Sequence, residues 1–259
     1  MPVAPLLVER LREGVVRWRL NRPERRNAID AALVGALDDA VTGMRDRAAV
    51  LSSADPRAFC GGADLDLDDA ARAEVSDRLY TLYERMIGTP AVLVAAVNGP
   101  AVGGGAQLAV ACDLRVAGPA ARFRFAGPGH GLAVGAWALP ALVGRGRALD
   151  LCLTMRWVEA EEALRIGLVD RVADDPEAEA LALAEGFAGL DAAAAARVKA
   201  VVGMASGQAS ALAAEATGNR SAWDGSVPPA ASPRARAGSR TDEPRREELV
   251  DMAATRREA

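Results

Sequence analysis

Histidine is nearly missing from this chain of 259 residues: His130 is the single imidazole, which excludes any metal site or catalytic apparatus that needs two imidazoles from one subunit. Cysteine is scarce as well. The three thiols, Cys60, Cys112 and Cys152, are odd in number and widely separated, so neither a disulfide framework nor a zinc knuckle is indicated, and a reducing cytoplasm is the expected setting. No run approaches the roughly 20 apolar residues of a membrane span, and the opening residues carry no basic segment followed by a long apolar stretch, so the expectation is a soluble protein that is not exported. Neither sign of charge dominates. Lys and Arg number 31 against 35 Asp and Glu, a formal net charge of −4, too weak a field to gather a nucleic-acid backbone. What the chain has in quantity is apolar surface. Hydrophobic types make up 51% and charged types 25%, enough to bury a large core in one globular domain, with or without an appendage.

Leu6–Arg10 and Val15–Leu20 are short apolar-rich runs around Leu11-Arg12-Glu13-Gly14, the pattern of an opening β-hairpin. Then the period changes. Asp30 is a candidate N-cap, and Leu33, Leu37, Val41 and Met44 recur at helical spacing behind it. Ala48–Ser52 reads as a strand, Arg72–Ile87 as a helix carrying Leu79, Leu82, Tyr83 and Met86 inward, and Ala91–Val97 as a continuous apolar strand. Gly103–Gly105 opens another helix through Ala111, and Leu114–Ala117 returns as a strand. Strands alternating with helices predict an α/β domain with largely parallel pairing. From Ala160 to Ala216 the text is Ala-rich and helical, and a helical half of this kind can form a subunit interface. Gly225–Pro233 is too poor in large apolar groups to offset the entropy of ordering it, which predicts a flexible tail, with a short charged helix from about Glu243 to Arg257 at its end.

Two segments carry the candidate chemistry: Phe59-Cys60-Gly61-Gly62-Ala63-Asp64-Leu65, and Asn98-Gly99-Pro100-Ala101-Val102-Gly103-Gly104-Gly105-Ala106-Gln107. Glycines at a helix start leave main-chain N–H groups free and admit a close neighbour, which suits an anion or a developing oxyanion. Either segment alone reads equally as a tight turn with close helix packing. The triplet lacks the Gly-x-Gly-x-x-Gly spacing and downstream acid of a dinucleotide site.

In this order, and with Leu20-Asn21-Arg22-Pro23-Glu24-Arg25-Arg26-Asn27-Ala28-Ile29 upstream, the segments resemble the enoyl-CoA hydratase/isomerase (crotonase) family. The similarity runs from about Val8 to Asp170, through Val143-Gly144 and the Ala163–Val169 stretch. The resemblance implies an α/β fold, a repeated ββα superhelix assembled as a trimer or a pair of trimers. It implies an acyl-CoA substrate of fatty acid metabolism, no cofactor beyond the CoA that the substrate carries, and a lyase or isomerase reaction. It divides the chain into an acyl-CoA-binding core (residues 1–170), a helical trimerisation region (171–223) and the tail (224–259). The thioester oxygen would lie between the amides of Ala63 and Gly104, an oxyanion hole, because reactions beside a thioester build negative charge there. CoA contacts would come from Arg25, Asn27, Ala28, Gly61, Gly62, Asp64 and Leu65, with Arg25 or Arg26 toward the phosphates.

The family's hydratases activate water with two glutamates, and both positions differ here. They fall on Gln107, an amide that cannot take a proton near neutrality, and on Gly127; a third position, an aspartate in certain members, falls near Gly135. His130, in Gly127-Pro128-Gly129-His130-Gly131, is the replacement acid or base that the chain offers, or else a surface group. Trp137, Tyr80 and Tyr83 read as core aromatics that could also line an acyl pocket or supply a phenol. Asp64 and Asp113 read as holders of loop geometry through backbone N–H groups, and Cys60 as buried filler. Three readings stay open: an acyl-CoA enzyme doing chemistry other than water addition, a non-catalytic acyl-CoA-binding or oligomerising relative, and a weak hydratase.

Overall fold

The computed structural model describes residues 3–12 and 14–223; the expectations of a flexible tail and a short terminal helix fall outside the described residues. The chain opens on the expected hairpin, β1 (Leu6–Arg12) antiparallel to β2 (Val15–Leu20). Asp30 caps α1 (Ala31–Thr42) by accepting the Leu33 amide at 2.9 Å, and Leu33, Val34, Leu37 and Val41 form its buried stripe. After β3 (Ala48–Ser53), α2 (Asp69–Gly88) starts at Asp69 rather than at Arg72, because Asp68 caps it through the Ala71 amide at 2.8 Å. β4 (Val92–Val97) and β5 (Pro100–Val102) are separated by Asn98-Gly99 alone yet lie in different sheets. There follow α3 (Gly104–Ala111), β6 (Leu114–Ala117), β7 (Arg122–Arg124), α4 (Leu139–Val143), α5 (Arg145–Thr154), β8 (Val158–Glu159), α6 (Ala160–Ile166) and β9 (Arg171–Val172). Three helices complete the described chain: α7 (Pro176–Ala188), α8 (Ala192–Ser206) and α9 (Gln208–Trp223).

The main sheet has the order β1-β2-β3-β4-β6-β9, parallel from β2 onward, and the small sheet is β5-β7-β8. Both faces of the main sheet are covered, and this is why β4, and β3 as far as Leu51, are continuously apolar instead of alternating. On one face Ala49, Leu51, Leu93 and Ala95 join the core beneath α1, α2 and α3. On the other, Ala48, Val50, Val94 and Ala96 meet Ala180 and Ala184 of α7. Neighbouring residues of one strand thus feed opposite cores.

The helical reading from Ala160 onward needs correcting at Arg171–Val172, where β9 pairs with β6 at the sheet edge. Two residues are too few to show a period. With β9 in the sheet and α7 covering its face, the segment that starts at residue 171 is continuous with the core through α7. Among the described residues no helix is long and apolar enough to cross a membrane.

α8 buries none of its apolar side chains against the subunit, and Val198, Val201, Val202 and Met204 are exposed. It is tied down by Lys199, whose ammonium donates to Asp113 Oδ2 at 2.8 Å and to Ala91 O at 2.8 Å. Asp113 also accepts the Leu93 amide at 2.7 Å, the geometry-holding role expected of it. Burial pushes this carboxyl above its ordinary value, and Lys199 pulls it back. Lys199→Met is therefore expected to cost about 1–3 kcal/mol, and the cost should depend on pH. With Lys199 gone, the folded state holds the Asp113 proton more tightly than the unfolded chain does, so stability falls as pH rises above the ordinary carboxylate range. Urea unfolding should show a wider gap from the native protein at about pH 8 than at about pH 5; a gap independent of pH would remove Asp113 from the account.

Candidate active site

The two glycine-rich segments meet because β5 is paired on both flanks. On one side it pairs with β7. On the other, Cys60 bridges Ala101 in parallel, with the Phe59 and Cys60 amides donating to Pro100 O at 3.1 and 3.2 Å and the Val102 amide to Cys60 O at 3.0 Å. Just past this bridge Gly62 lies against Val102 and the start of α3, and Ala63 and Gly104 both reach the wall of one cleft. Gly62 is pressed so close that a Cβ on it would sit 2.6 Å from Val102 O and 3.6 Å from Gly104 N, and its φ of +88° favours glycine. A Cβ on Gly105 would drive into the carbonyl of Cys60.

The amides of interest are left over by this pairing. Gly104 opens α3, so its N–H has no intrahelical acceptor. Ala63 bridges Ile29 in a pattern where Ile29 N donates to Gly62 O at 2.7 Å and Asp64 N to Ile29 O at 2.9 Å, which turns the N–H of Ala63 away from Ile29. Both residues line a cleft that is partly open to solvent. Its other walls are Val75, Leu79, Tyr80 and Tyr83 along one face of α2, Gln107 of α3, and the segment carrying Gly127 and His130.

Several side chains expected at a ligand are internal struts. Asn27 is 0% exposed. Its amide hydrogens go to Ser53 Oγ at 2.7 Å and Phe59 O at 2.9 Å, and its oxygen takes the Arg22 amide at 2.8 Å; the side chain shapes the loop and is closed to CoA. Asp64 is buried too, 3.2 Å from both the Arg22 guanidinium and the Asp66 amide, so it holds geometry as read and does not face the cleft. Arg22 reaches further, to Asp30 at 2.9 Å and to the carbonyl of Ala28. Arg25 stands on the surface in an ion pair with Asp66. Gly61, Gly62 and Leu65 do line the cleft, and Leu65 is 60% exposed. Cys60 is buried with its thiol donating to Asn27 O at 3.0 Å; burial pushes that thiol up to about 12, so it carries no thiolate near neutrality.

Gln107 is fixed in orientation. Its side-chain oxygen accepts the Trp137 indole N–H at 2.8 Å and the Gly135 amide at 3.2 Å, and since both partners can only donate, the NH₂ end is what points toward the cleft and the Tyr80 hydroxyl. Water cannot use this oxygen. His130 ends a tight 3-10 turn, Pro128–His130, half-buried in the opposite wall. The Tyr83 hydroxyl donates to Gly104 O at 3.0 Å, and its ring stacks on Trp137 with centroids 6.1 Å apart. The core and pocket readings of these aromatics therefore both hold for Tyr80 and Tyr83.

Sequence reading passed over Glu215 and Asn219 of α9. Asn219 lines the cleft, and Glu215 stands behind Tyr80, accepting its hydroxyl at 2.7 Å. The signal was present: Leu212, Glu215, Asn219 and Trp223 recur at helical spacing, a polar stripe where an apolar one is expected. Arg72 of α2 was also missed. It lines the cleft with its guanidinium carbon 5.3 Å from the Trp223 ring centroid. Among the described residues no cluster of His, Cys, Asp and Glu could hold a metal ion.

The chain matches the family described as enoyl-CoA hydratase/isomerase over residues 10–222. It is 42% identical over 175 residues to "Probable enoyl-CoA hydratase echA6" of Mycobacterium tuberculosis, covering 66% of this chain and 72% of that one. An enoyl-CoA hydratase from Mycobacterium avium subsp. paratuberculosis has a TM-score of 0.74 at 31% identity, covering 84% of this chain and 89% of its own. A monofunctional enoyl-CoA isomerase from M. smegmatis has a TM-score of 0.65 at 35% identity, covering 76% and 91%. Fold and matches together define an α/β protein of acyl-CoA metabolism. The chain belongs to the enoyl-CoA hydratase/isomerase, or crotonase, family.

Proposed function

We propose that the protein is an acyl-CoA enzyme that polarises a thioester carbonyl between the N–H groups of Ala63 and Gly104 and then carries out enolate-type chemistry other than water addition. The observation that supports this reading is that both residues line one largely apolar cleft, in segments held together by the Cys60–Ala101 bridge. One such donor contributes roughly 3–4 kcal/mol of transition-state stabilisation. Gln107 contributes its NH₂ end, and His130 is an acid–base group on the facing wall. Gly61, Gly62 and Leu65 contact the CoA arm, with Ala28 supporting them, and the ester itself brings the only cofactor. The exposed apolar face of α8 supports assembly as a trimer or hexamer, and three free, buried cysteines suit the cytoplasm.

A second reading is a non-catalytic acyl-CoA-binding relative. It is favoured by one observation: the Gln107 oxygen is consumed by Trp137 and Gly135, so neither glutamate position of a hydratase offers a base. Saturated, 2-enoyl, 3-enoyl, 3-hydroxyacyl and malonyl-type CoA esters, each followed for binding and for conversion, separate the two. Conversion of a 3-enoyl or malonyl-type ester, with water addition to 2-enoyl esters slower by about 100-fold or more, is the expected result. Binding without conversion across the panel would install the second reading, and fast hydration would overturn both.

A further inference from the structure

Chemistry beside a thioester requires a group that takes a proton from one carbon and can return it to another. We infer that Tyr80 is a catalytic acid–base residue of this cleft and that Glu215, acting through it, stores the transferred proton, so that the protein shifts a double bond along an acyl chain. The inference rests on the oxyanion reading above, which supplies the acceptor for the electron pair.

Tyr80 lines the cleft with Gly104 and Gln107. Its hydroxyl donates to Glu215 Oε1 at 2.7 Å and accepts from Asn219 Nδ2 at 2.7 Å, and an edge-on contact with Tyr83, centroids 5.8 Å apart, sets the ring. Glu215 is buried without a cation. Its balance comes from Tyr80 and from the Gly135 and Trp137 amides at 3.1 and 3.0 Å. A purely structural pin would need no ionisable group here, since Asn219 already clamps Ala133 through both its N–H, at 2.8 Å, and its C=O, at 2.7 Å.

Burial holds the Tyr80 hydroxyl well above its ordinary value, so a free phenolate is not the base; burial also raises Glu215, which lets it hold a proton. The transfers are therefore linked. The C2 proton of the ester passes to Tyr80 Oη as the Tyr80 proton passes to Glu215, and the C–H electron pair moves onto the thioester oxygen at Ala63 and Gly104. Return from Glu215 through Tyr80 to C4 restores both residues and converts a 3-enoyl ester into a 2-enoyl ester, with no co-reactant. The titratable groups facing the pair are Tyr83 on α2 and Cys152 on α5, both raised chiefly by burial and so neutral. His130, across the cleft, and Arg72, further along α2, also line the cleft.

The test follows deuterium exchange at C2 of a 3-enoyl-CoA, and its conversion, for the native protein, Tyr80→Phe and Glu215→Gln. Tyr80→Phe is expected to lower exchange by about 100-fold or more while ester affinity stays within about threefold. Glu215→Gln is expected to abolish the acid limb of the native pH–rate profile, which a merely structural residue would leave in place. Where Glu215→Gln does not fold, Tyr80→Phe decides alone, because it keeps the bonds from Glu215 to Gly135 and Trp137. Exchange in Tyr80→Phe within about threefold of native, a loss confined to KM, or an unchanged acid limb in Glu215→Gln overturns the inference and leaves the oxyanion reading standing. A native protein that exchanges no ester overturns the oxyanion reading and this inference together.

Discussion

Gly104→Pro is expected to lower kcat by about 100- to 1,000-fold, with kcat/KM falling in parallel, while the melting temperature moves by only a few degrees. The substitution deletes one N–H and little else. Gly104 is the first residue of α3, where the amide has no helical partner and proline's fixed φ is already suitable. The residue before it, Gly103, has φ 54° and ψ −119°, the mirror image of the extended backbone that proline prefers on its N-terminal side, so the preceding turn need not change. The nearest obstacle is Ile29 Cδ1, 3.1 Å from the position of an added Cβ, and it is the free end of a flexible side chain. Gly104→Ala adds that same carbon and keeps the N–H. The comparison between the two separates the amide, whose hydrogen proline replaces with Cδ, from the added Cβ: equal losses in both variants would mean that the Cβ, not the amide, is responsible, and the two-amide site would have to be abandoned.

The fold was legible where one period or one cap decides an element. Asp30 before Leu33, Leu37 and Val41 marked α1, and the apolar runs in β3 and β4, alternating with helices, marked strands of a largely parallel sheet. β8 and β9 were not legible, because two residues carry no period and their pairing is set by partners far along the chain. The two glycine-rich segments were legible as a place where backbone must approach backbone, as Gly62 and Gly105 do, while the choice of Ala63 and Gly104 within them came from the family resemblance. Side-chain direction was harder. Asn27, Asp64 and Gln107 have the chemistry of ligand contacts, yet each is turned inward, by Phe59 and Ser53, by Arg22, and by Trp137 and Gly135 respectively. Glu215 stayed hidden for the converse reason. It sits in an Ala-rich helix whose role is declared only by contact with Tyr80, 135 positions earlier in the chain.

That contact also accounts for glutamine at position 107. Gly135 N–H is shared, 3.2 Å from Gln107 Oε1 and 3.1 Å from Glu215 Oε1, so Gln107→Glu would set two carboxylates on one donor inside the core. Like charges at that separation cannot both ionise, and one must keep its proton. The variant is expected to lose about 2–4 kcal/mol at about pH 8 and much less at about pH 5. The sign follows from linkage: the folded state retains a proton that the unfolded chain releases in the ordinary carboxylate range, so stability drops as pH climbs past that range. Water addition should not return with the carboxylate. Gly127, where the resemblance puts the second glutamate, is closed, because a Cβ there would lie 2.7 Å from Val134 Cβ, and Gly135, where it puts the aspartate of certain members, has a φ of +83° with the Phe125 ring against it. Adding Glu215→Gln to Gln107→Glu restores one charge to the pair, and the double variant is expected to recover about 1–3 kcal/mol relative to the sum of the single losses at about pH 8. Urea unfolding of the four proteins at both pH values measures this coupling; additive losses, or a Gln107→Glu deficit that ignores pH, would show that the two positions do not share their charge.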